Sequence, residues 1–130
     1  MAYWSFTDSI LKGTPIQVYG DGNMSRDFTY IDDIIEGVFK LIHLRDFPRD
    51  ALVMNIGNGS PVELMEFIYL IEKSMGTTLA KEFVEAQKGD VEVTYATTKK
   101  LKELTGYEPR VKLEEGIKLF VEWFKAYASD

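Results

Sequence analysis

The sequence predicts a single α/β domain over residues 1–130, with short strands and about five helices. Three observations lead to this prediction. Short apolar runs are interspersed with segments whose apolar residues recur every three or four positions, the spacings of strands and of helices. Glycine or proline stands between most of these runs. No linker of low complexity divides the chain, and its 130 residues suit one domain.

The first thirty residues predict one helix and two strands. Apolar residues spaced through 3–12 predict a helix that Gly13 ends, and residues 16–19 have the composition of a strand. A polar turn follows. Phe28 and Tyr30 then alternate with polar neighbours, which predicts a second strand.

The central part of the chain predicts a helix and a buried strand. The pair Asp32-Asp33 is expected to cap a helix that runs to about residue 45, because a carboxylate at a helix start can accept unpaired backbone N–H groups. One face of this helix carries its apolar residues, namely Ile34, Val38, Leu41 and Ile42. Residues 51–56 form a nearly continuous apolar run, which is typical of a buried strand.

The second half of the chain predicts three helices and further extended segments. Residues 60–63, Ser-Pro-Val-Glu, have the pattern of a capping box, so a helix is expected to begin there and to end at Gly76. The remaining expected elements are a strand over 81–85, an extended stretch over 91–95, a short helix capped by Thr97 or Thr98 that ends at Gly106, and a last helix over 113–128.

Composition excludes several classes of function. A formal net charge of -6 argues against a broad nucleic-acid surface. The chain has no cysteine and a single histidine, so disulfides, thiolate chemistry and histidine metal clusters are excluded. No apolar stretch is long enough to span a membrane, and the first residues lack the pattern of a signal peptide. A cytoplasmic protein without a membrane partner is therefore expected.

Arg26 is a candidate anion-binding residue. Its planar set of donors matches a phosphate, and the nearby Gly20 and Gly22 would let a ligand approach the backbone closely. The alternative is an arginine paired at the surface with Asp21 or Asp27, and the local pattern alone leaves both interpretations open.

Residues 26–34, Arg-Asp-Phe-Thr-Tyr-Ile-Asp-Asp-Ile, resemble a stretch of the NAD-dependent nucleotide-sugar epimerases and dehydratases, which are extended short-chain dehydrogenase/reductases. Blocks at 13–20, 55–64 and 87–91 agree with that family in order and spacing. The resemblance covers essentially the whole chain and is greatest to the UDP-glucuronate 4-epimerases. It implies the carboxy-terminal, substrate-binding part of such a protein, without the amino-terminal NAD-binding Rossmann domain.

The same resemblance implies a set of substrate-binding residues. Arg26 would bind the diphosphate, Asp90 would accept hydrogen bonds from sugar hydroxyls, and Gln87 would donate to a phosphate. Tyr19 and Gln17 would line the pocket for the base, where an aromatic ring can stack on uracil. The alternatives are a surface turn at 87–90 and a half-buried strand tyrosine.

Neither an NAD site nor a catalytic pair is expected in this chain. The turn Gly57-Asn58-Gly59 lacks the third glycine of the dinucleotide fingerprint, so a tight turn is favoured over a cofactor site. Tyrosine and lysine occur four residues apart at Tyr69 with Lys73 and at Tyr95 with Lys99. In the family this pair lies in an earlier part of the chain, so both occurrences are interpreted as accidental, and whether the chain is itself an enzyme is left open.

The resemblance therefore implies a part of an NAD-dependent epimerase that anchors the UDP diphosphate and is inactive alone. NAD would bind the full-length parent, and no cofactor is expected to bind this chain by itself. One alternative is a dehydratase or reductase of the same superfamily. Another is a stand-alone self-associating module, which the aromatic-rich last helix with Trp123 and Tyr127 favours. A UDP-sugar and further copies of the chain are the expected partners.

Overall fold

The computed structural model describes residues 2–46, 51–86 and 89–128, which contain five helices and four short strands. The helices are α1 (Ala2–Lys12), α2 (Ile31–Ile42), α3 (Leu64–Met75), α4 (Lys99–Thr105) and α5 (Leu113–Tyr127). The strands are β1 (Ile16–Tyr19), β2 (Ser25–Arg26), β3 (Val62–Glu63) and β4 (Lys81–Val84). The predicted α/β class and the predicted number of helices are confirmed.

The strands form two separate two-stranded sheets. Strand β1 pairs in parallel with β4, with Ile16 opposite Lys81 and Tyr19 opposite Val84. Strand β2 pairs antiparallel with β3, and Ser25 also forms a parallel bridge with Val93. The strands expected at 16–19 and 81–85 are confirmed. Within the expected extended stretch over 91–95, Val93 forms the bridge and Glu92 lies in a bend.

The hydrophobic core lies between α1, α3, α5 and the inner face of β1. Buried side chains from these four elements fill it, among them Phe6, Ile16, Val18, Phe67, Ile68, Ile71, Ile117 and Val121. Helices α3 and α4 end at Gly76 and Gly106, which have φ values of 75° and 67° in the left-handed region, as the sequence predicts. Replacing either glycine by a residue with a side chain would therefore strain the backbone at the end of its helix.

The second strand lies earlier in the chain than predicted. Strand β2 is Ser25–Arg26, and residues 27–30 are irregular. The alternation of Phe28 and Tyr30 has another cause. Phe28 stacks on Phe67 of α3 at a centroid distance of 4.0 Å, and the Tyr30 ring lies against Gly116 of α5, where an added Cβ would come within 3.0 Å of Cδ2. These side chains pack on helices, so their spacing does not report strand pairing.

The acidic pair Asp32-Asp33 does not cap α2, contrary to the prediction. The N-cap residue is Tyr30, and no side chain bonds the first turn. Asp33 is buried, and its carboxylate accepts the backbone N–H groups of Arg110 and Val111 at 3.0 and 3.1 Å. It therefore ties the segment before α5 to α2. The helix also ends at Ile42, earlier than the expected residue 45.

Helix α3 begins at Leu64, three residues later than the capping-box pattern predicts. Val62 and Glu63 pair with β2 instead of forming the first turn, and the backbone N–H of Leu64 donates to Met24 at 2.8 Å. Strand pairing therefore competes successfully with the local helix signal. Thr98 does occupy the N-cap of α4, but its side chain makes no capping hydrogen bond.

Residues 51–56 do not form the predicted buried strand. They have no regular structure, and the side chain of Val53 is 83% exposed. None of the backbone hydrogen bonds found among the described residues involves this stretch. A strand needs a neighbour, and the described part of the chain offers it none.

Candidate functional site

Arg26 lies on β2, between the chain of β3 on one side and the extended stretch around Val93 on the other. Its Nη1 donates to the backbone carbonyls of Ser25 and Glu92 at 2.9 and 3.3 Å. Its Nη2 donates to Oδ1 of Asp90 at 2.7 Å. Because two carbonyls and one carboxylate hold the guanidinium, its plane is fixed by the fold.

Two donors of the Arg26 guanidinium are left for a ligand. The group carries five N–H donors, and its hydrogen bonds to protein in the described residues account for three of them. Nε–H and one N–H of Nη2 remain. The side chain is 22% exposed, so these donors lie at a partly desolvated surface where a hydrogen bond to an anion is strengthened.

The structure brings two of the predicted site residues together. Arg26 and Asp90 form an ion pair across 64 positions of sequence. The alternative partners considered from sequence, Asp21 and Asp27, are otherwise engaged. Asp21 accepts the backbone N–H of Asn23 at 3.1 Å, and Asp27 accepts backbone N–H groups of other loops.

Asp27 holds the loops around Arg26, a role that the sequence analysis missed. Its carboxylate accepts backbone N–H groups from Gly59 at 3.0 Å, Ala96 at 3.0 Å and Ser60 at 3.4 Å. Its own N–H donates to Oγ1 of Thr94 at 3.1 Å. One carboxylate next to the candidate anion-binding residue thus joins three segments that are distant in sequence. The only sequence signal for this role of Asp27 is its position next to Arg26.

The turn at 57–59 does not fit the pyrophosphate of NAD. In a dinucleotide-binding turn the glycines open a helix whose free N–H groups face the phosphates. Here β3 intervenes before α3, and the Asp27 carboxylate already accepts the Gly59 N–H group. A Cβ on Gly57 would lie 2.6 Å from the Cβ of Ala96. Gly57 therefore serves close packing of two loops.

Tyr19 and Gln17 share the outer, exposed face of β1, while Ile16 and Val18 point into the core. No hydrogen bond or ion pair joins Tyr19 or Gln17 to Arg26 among the described residues. Their assignment to a base pocket stays a prediction. Gln87 lies outside the described residues, so its predicted role also stays untested.

The two tyrosine and lysine pairs occupy exposed positions. Tyr69 and Tyr95 are both more than half exposed. Lys73 donates to Glu114 at 2.7 Å, and this hydrogen bond raises the pKa of Lys73. Lys99 lies 3.9 Å from Glu103. Within residues 2–46, 51–86 and 89–128, no group of three or more acidic or histidine side chains is arranged to hold a metal ion.

A large cavity of the described chain lies away from Arg26. It is an open groove of about 720 Å³ between α1, the start of α2 and α5, and its lining is mainly aromatic and aliphatic. The rings of Trp4 on α1 and Trp123 on α5 have centroids 6.1 Å apart. Neither Arg26 nor Asp90 lines this groove. No helix among the described residues is both long and apolar enough to cross a membrane.

Comparison with known protein families gives the class of this chain. The sequence profile described as GDP-mannose 4,6 dehydratase matches residues 4–120, and this chain belongs to that family of NAD-dependent nucleotide-sugar epimerases and dehydratases. The resemblance found in the four sequence blocks is confirmed.

Within this family, the chain is similar to several proteins described as UDP-glucuronate 4-epimerases. The chain is 42% identical over 140 aligned positions to a probable UDP-glucuronate 4-epimerase of Rhizobium meliloti, covering 95% of this chain and 41% of the relative. It is 36% identical over 126 positions to the UDP-glucuronate 4-epimerase of Thermodesulfobacterium geofontis, covering 96% and 38%. The crystal structure of UDP-glucuronic acid 4-epimerase from Bacillus cereus, with UDP-glucuronic acid and NAD, superposes with a TM-score of 0.90 at 30% identity, covering 98% and 40%.

The chain therefore spans about two-fifths of the length of these relatives. The similarity to that crystal structure extends over nearly all of this chain, so the local fold described above is similar to that of the matching part of that structure. The NAD and the UDP-sugar named for the Bacillus cereus structure belong to that protein.

Proposed function

We propose that this chain is the substrate-binding portion of an NAD-dependent nucleotide-sugar epimerase and that Arg26 anchors the diphosphate of a UDP-sugar. The observation that carries the proposal is the fixed guanidinium of Arg26 at a partly exposed surface, where two of its donors bond to none of the described residues. A diphosphate presents acceptor oxygens and negative charge to such a group, which favours arginine over lysine.

Asp90 has a second role in this proposal. It orients Arg26 through the 2.7 Å hydrogen bond, and its other oxygen, which accepts no hydrogen bond from the described residues, would accept one from a sugar hydroxyl. Gln87 would donate to a phosphate, and Tyr19 with Gln17 would contact the uracil. These three assignments rest on the family resemblance of the sequence blocks.

The chain alone is proposed to be catalytically inactive. The turn at 57–59 does not fit a dinucleotide, and the tyrosines of both tyrosine and lysine pairs are exposed on the surface. An amino-terminal NAD-binding domain in the parent protein would supply the cofactor and the proton transfer. Binding energy from the diphosphate anchor would then hold the substrate during the reaction elsewhere. A cytoplasmic location and a homo-oligomer are part of the same proposal.

A dehydratase acting on a nucleotide sugar is the second candidate. One specific observation favours it, since the matching family profile is described as GDP-mannose 4,6 dehydratase. Anchoring of a nucleotide diphosphate by Arg26 is common to both candidates. The identities to the two UDP-glucuronate 4-epimerases favour the first.

Calorimetric titration of the purified chain with UDP-glucuronate, UDP, GDP and NAD+ tests the proposal. Binding of the uridine nucleotides, with no heat from NAD+, is the expected result. Binding of NAD+ alone would contradict it, and a preference for GDP would favour the dehydratase.

A further inference from the structure

The dipeptide Asn58-Gly59 is the one place in the sequence where glycine follows asparagine. The backbone nitrogen of the next residue can attack an asparagine side chain, and this attack is fastest before glycine, which has no Cβ to hinder the approach. The other two asparagines, Asn23 and Asn55, are followed by residues with large side chains. Asn58 is therefore the asparagine of this chain with the greatest intrinsic tendency to lose its amide.

The nitrogen that would attack Asn58 is held by Asp27. The backbone N–H of Gly59 donates to Oδ2 of Asp27 at 3.0 Å, and the N–H of Ser60 donates to Oδ1 at 3.4 Å. Oδ2 also accepts the N–H of Ala96 at 3.0 Å, so the carboxylate is anchored from a second loop. The hydrogen on the attacking nitrogen is thus engaged by a group whose own position is fixed.

The side chain of Asn58 is under no comparable restraint. It is partly exposed, and its amide forms no hydrogen bond with any of the described residues. Water can therefore reach the amide group that would leave as ammonia and the imide that would form. Protection of Asn58 has to come from the backbone of the turn.

The hydrogen bond from Gly59 to Asp27 opposes the attack in two ways. Cyclisation needs the Gly59 nitrogen to lose its proton and to turn toward Cγ of Asn58. Loss of the proton would place an amide anion beside a carboxylate at a separation of 3.0 Å. Rotation of the peptide plane would break a charge-assisted hydrogen bond. The reaction therefore proceeds from the minor population in which Asp27 has released Gly59.

We propose that Asn58 is a deamidation site that the Asp27 carboxylate protects in the folded chain. When the turn opens, the Gly59 nitrogen bonds to Cγ of Asn58, the Cγ–Nδ2 bond breaks, and Nδ2 leaves as ammonia with the proton from Gly59. Water then opens the five-membered imide at either carbonyl and gives aspartate or isoaspartate. Isoaspartate carries its Cβ in the backbone, which separates Gly59 and Ser60 from their shared carboxylate and makes the opening irreversible.

Incubation of the purified chain at one fixed pH, with and without urea, followed by tryptic peptide mapping, tests the proposal. Asn55 and Asn58 fall in one tryptic peptide, residues 50–73, so Asn55 is an internal reference in every sample. Asp27→Asn keeps the shape of the side chain and removes its charge. Thr94→Val is the matched control, because it removes the 3.1 Å hydrogen bond from the Asp27 N–H and leaves the carboxylate in place.

Asn58 in the folded wild type should deamidate about 10-fold to 100-fold more slowly than in urea, which is the factor that a hydrogen bond to a charged group supplies. Asp27→Asn should remove most of this protection in the absence of urea, and Thr94→Val should keep it. In urea the three chains should react at the same rate, while Asn55 stays intact.

Circular dichroism establishes that each variant is folded. Asp27→Glu is the second variant, for use where Asp27→Asn does not fold. It should also react faster than the wild type, because one added methylene moves the carboxylate away from the Gly59 N–H.

Equal rates with and without urea would overturn the proposal, because the fold would then protect nothing. A wild-type rate in the folded Asp27 variants would overturn it as well. Equal acceleration in Asp27→Asn and Thr94→Val would also do so, since loosening of the loops, and not loss of the carboxylate, would then be the cause. No nucleotide enters these measurements, so their outcome is independent of the proposed role of Arg26.

Discussion

Arg26 and Asp90, which are 64 positions apart in sequence, meet through a 2.7 Å hydrogen bond from Nη2 to Oδ1. The same carboxylate oxygen accepts the backbone N–H of Val91 at 2.9 Å. Asp90 is thereby fixed by its own loop while it holds Arg26. The carboxylate of Asp90 therefore balances part of the positive charge of Arg26 before any ligand binds.

Asp90→Asn should raise the affinity of the chain for pyrophosphate by about twofold to fivefold. The variant removes one negative charge beside Arg26, and a partly exposed pair of this kind is worth up to about 1 kcal/mol. Pyrophosphate has no sugar hydroxyl, so the loss of an acceptor for hydroxyls does not enter. Competition against a fluorescent UDP analogue measures the change. An affinity lowered by Asp90→Asn would contradict the prediction, and Asp21→Asn serves as the control for net charge.

Asp27→Ala should lower the free energy of unfolding by about 2–4 kcal/mol. It would leave the backbone N–H groups of Gly59 and Ala96, whose hydrogen bonds are partly buried, and of Ser60 without their acceptor, and a partly buried donor left unsatisfied is costly. Urea denaturation followed by circular dichroism measures the change. Asp21→Ala, which alters an exposed turn, should change the free energy by less than about 0.5 kcal/mol. Equal effects of the two substitutions would show that Asp27 does not join the loops.

Gly57→Ala should destabilise the chain by about 1–3 kcal/mol through crowding. The added Cβ would lie 2.6 Å from the Cβ of Ala96, and Gly57 does not have a positive φ, so backbone strain is not involved. Ala96→Gly should relieve the crowding when the two are combined. A double-mutant cycle measured by urea denaturation gives the interaction energy. Purely additive effects would mean that the two loops do not touch at this point.

Stability should fall as the pH rises above about 10, in part because of Tyr107. Burial, with the charges of Asp33, Glu36 and Asp27 as further causes, raises the pKa of the Tyr107 phenol above 10.0. Above pH 10 the unfolded chain therefore loses the Tyr107 proton more readily than the folded chain does, and the free energy of unfolding decreases. Below that pH the contribution is constant.

Urea midpoints of the wild type and of Tyr107→Phe between about pH 9 and pH 11 check the Tyr107 prediction. Tyr107→Phe should lose less stability over this range, although it starts lower because the 3.3 Å hydrogen bond to the Gly57 carbonyl is gone. Tyr30, whose pKa is also raised by burial, remains in both proteins as a common background. Parallel curves would contradict the assignment.

Local signals predicted those elements whose stability comes from the chain itself. Helices α1, α3, α4 and α5 and strands β1 and β4 were all expected, and the glycines Gly76 and Gly106 end their helices as predicted. These signals are backbone preferences and apolar spacing, which act within a few residues. The ion pair of Arg26 with Asp90 is not predictable from spacing, although the family resemblance assigns both residues to the site.

The predictions that proved wrong have one of two physical causes. Either a distant part of the chain competes for the segment, or the segment lacks a partner among the described residues. The capping-box pattern at 60–63 gives way to pairing of Val62 and Glu63 with β2. The carboxylate of Asp33 accepts hydrogen bonds from the backbone N–H groups of Arg110 and Val111 instead of capping its own helix. Residues 51–56 have the composition of a strand but no strand beside them in the described chain. Sequence alone reports what a segment favours, but it does not report which neighbour is present.

The central claim is that Arg26 binds the diphosphate, and calorimetry with UDP and uridine on the wild type and Arg26→Ala tests it most directly. A hydrogen bond to a charged group is worth about 1.5–3 kcal/mol, so Arg26→Ala should weaken UDP binding roughly 10-fold to 100-fold. Uridine has no phosphate, and its affinity should stay the same in both proteins. Arg26→Lys should fall between them, because lysine keeps the charge without the planar donors. Equal UDP affinities in the wild type and Arg26→Ala would contradict the account.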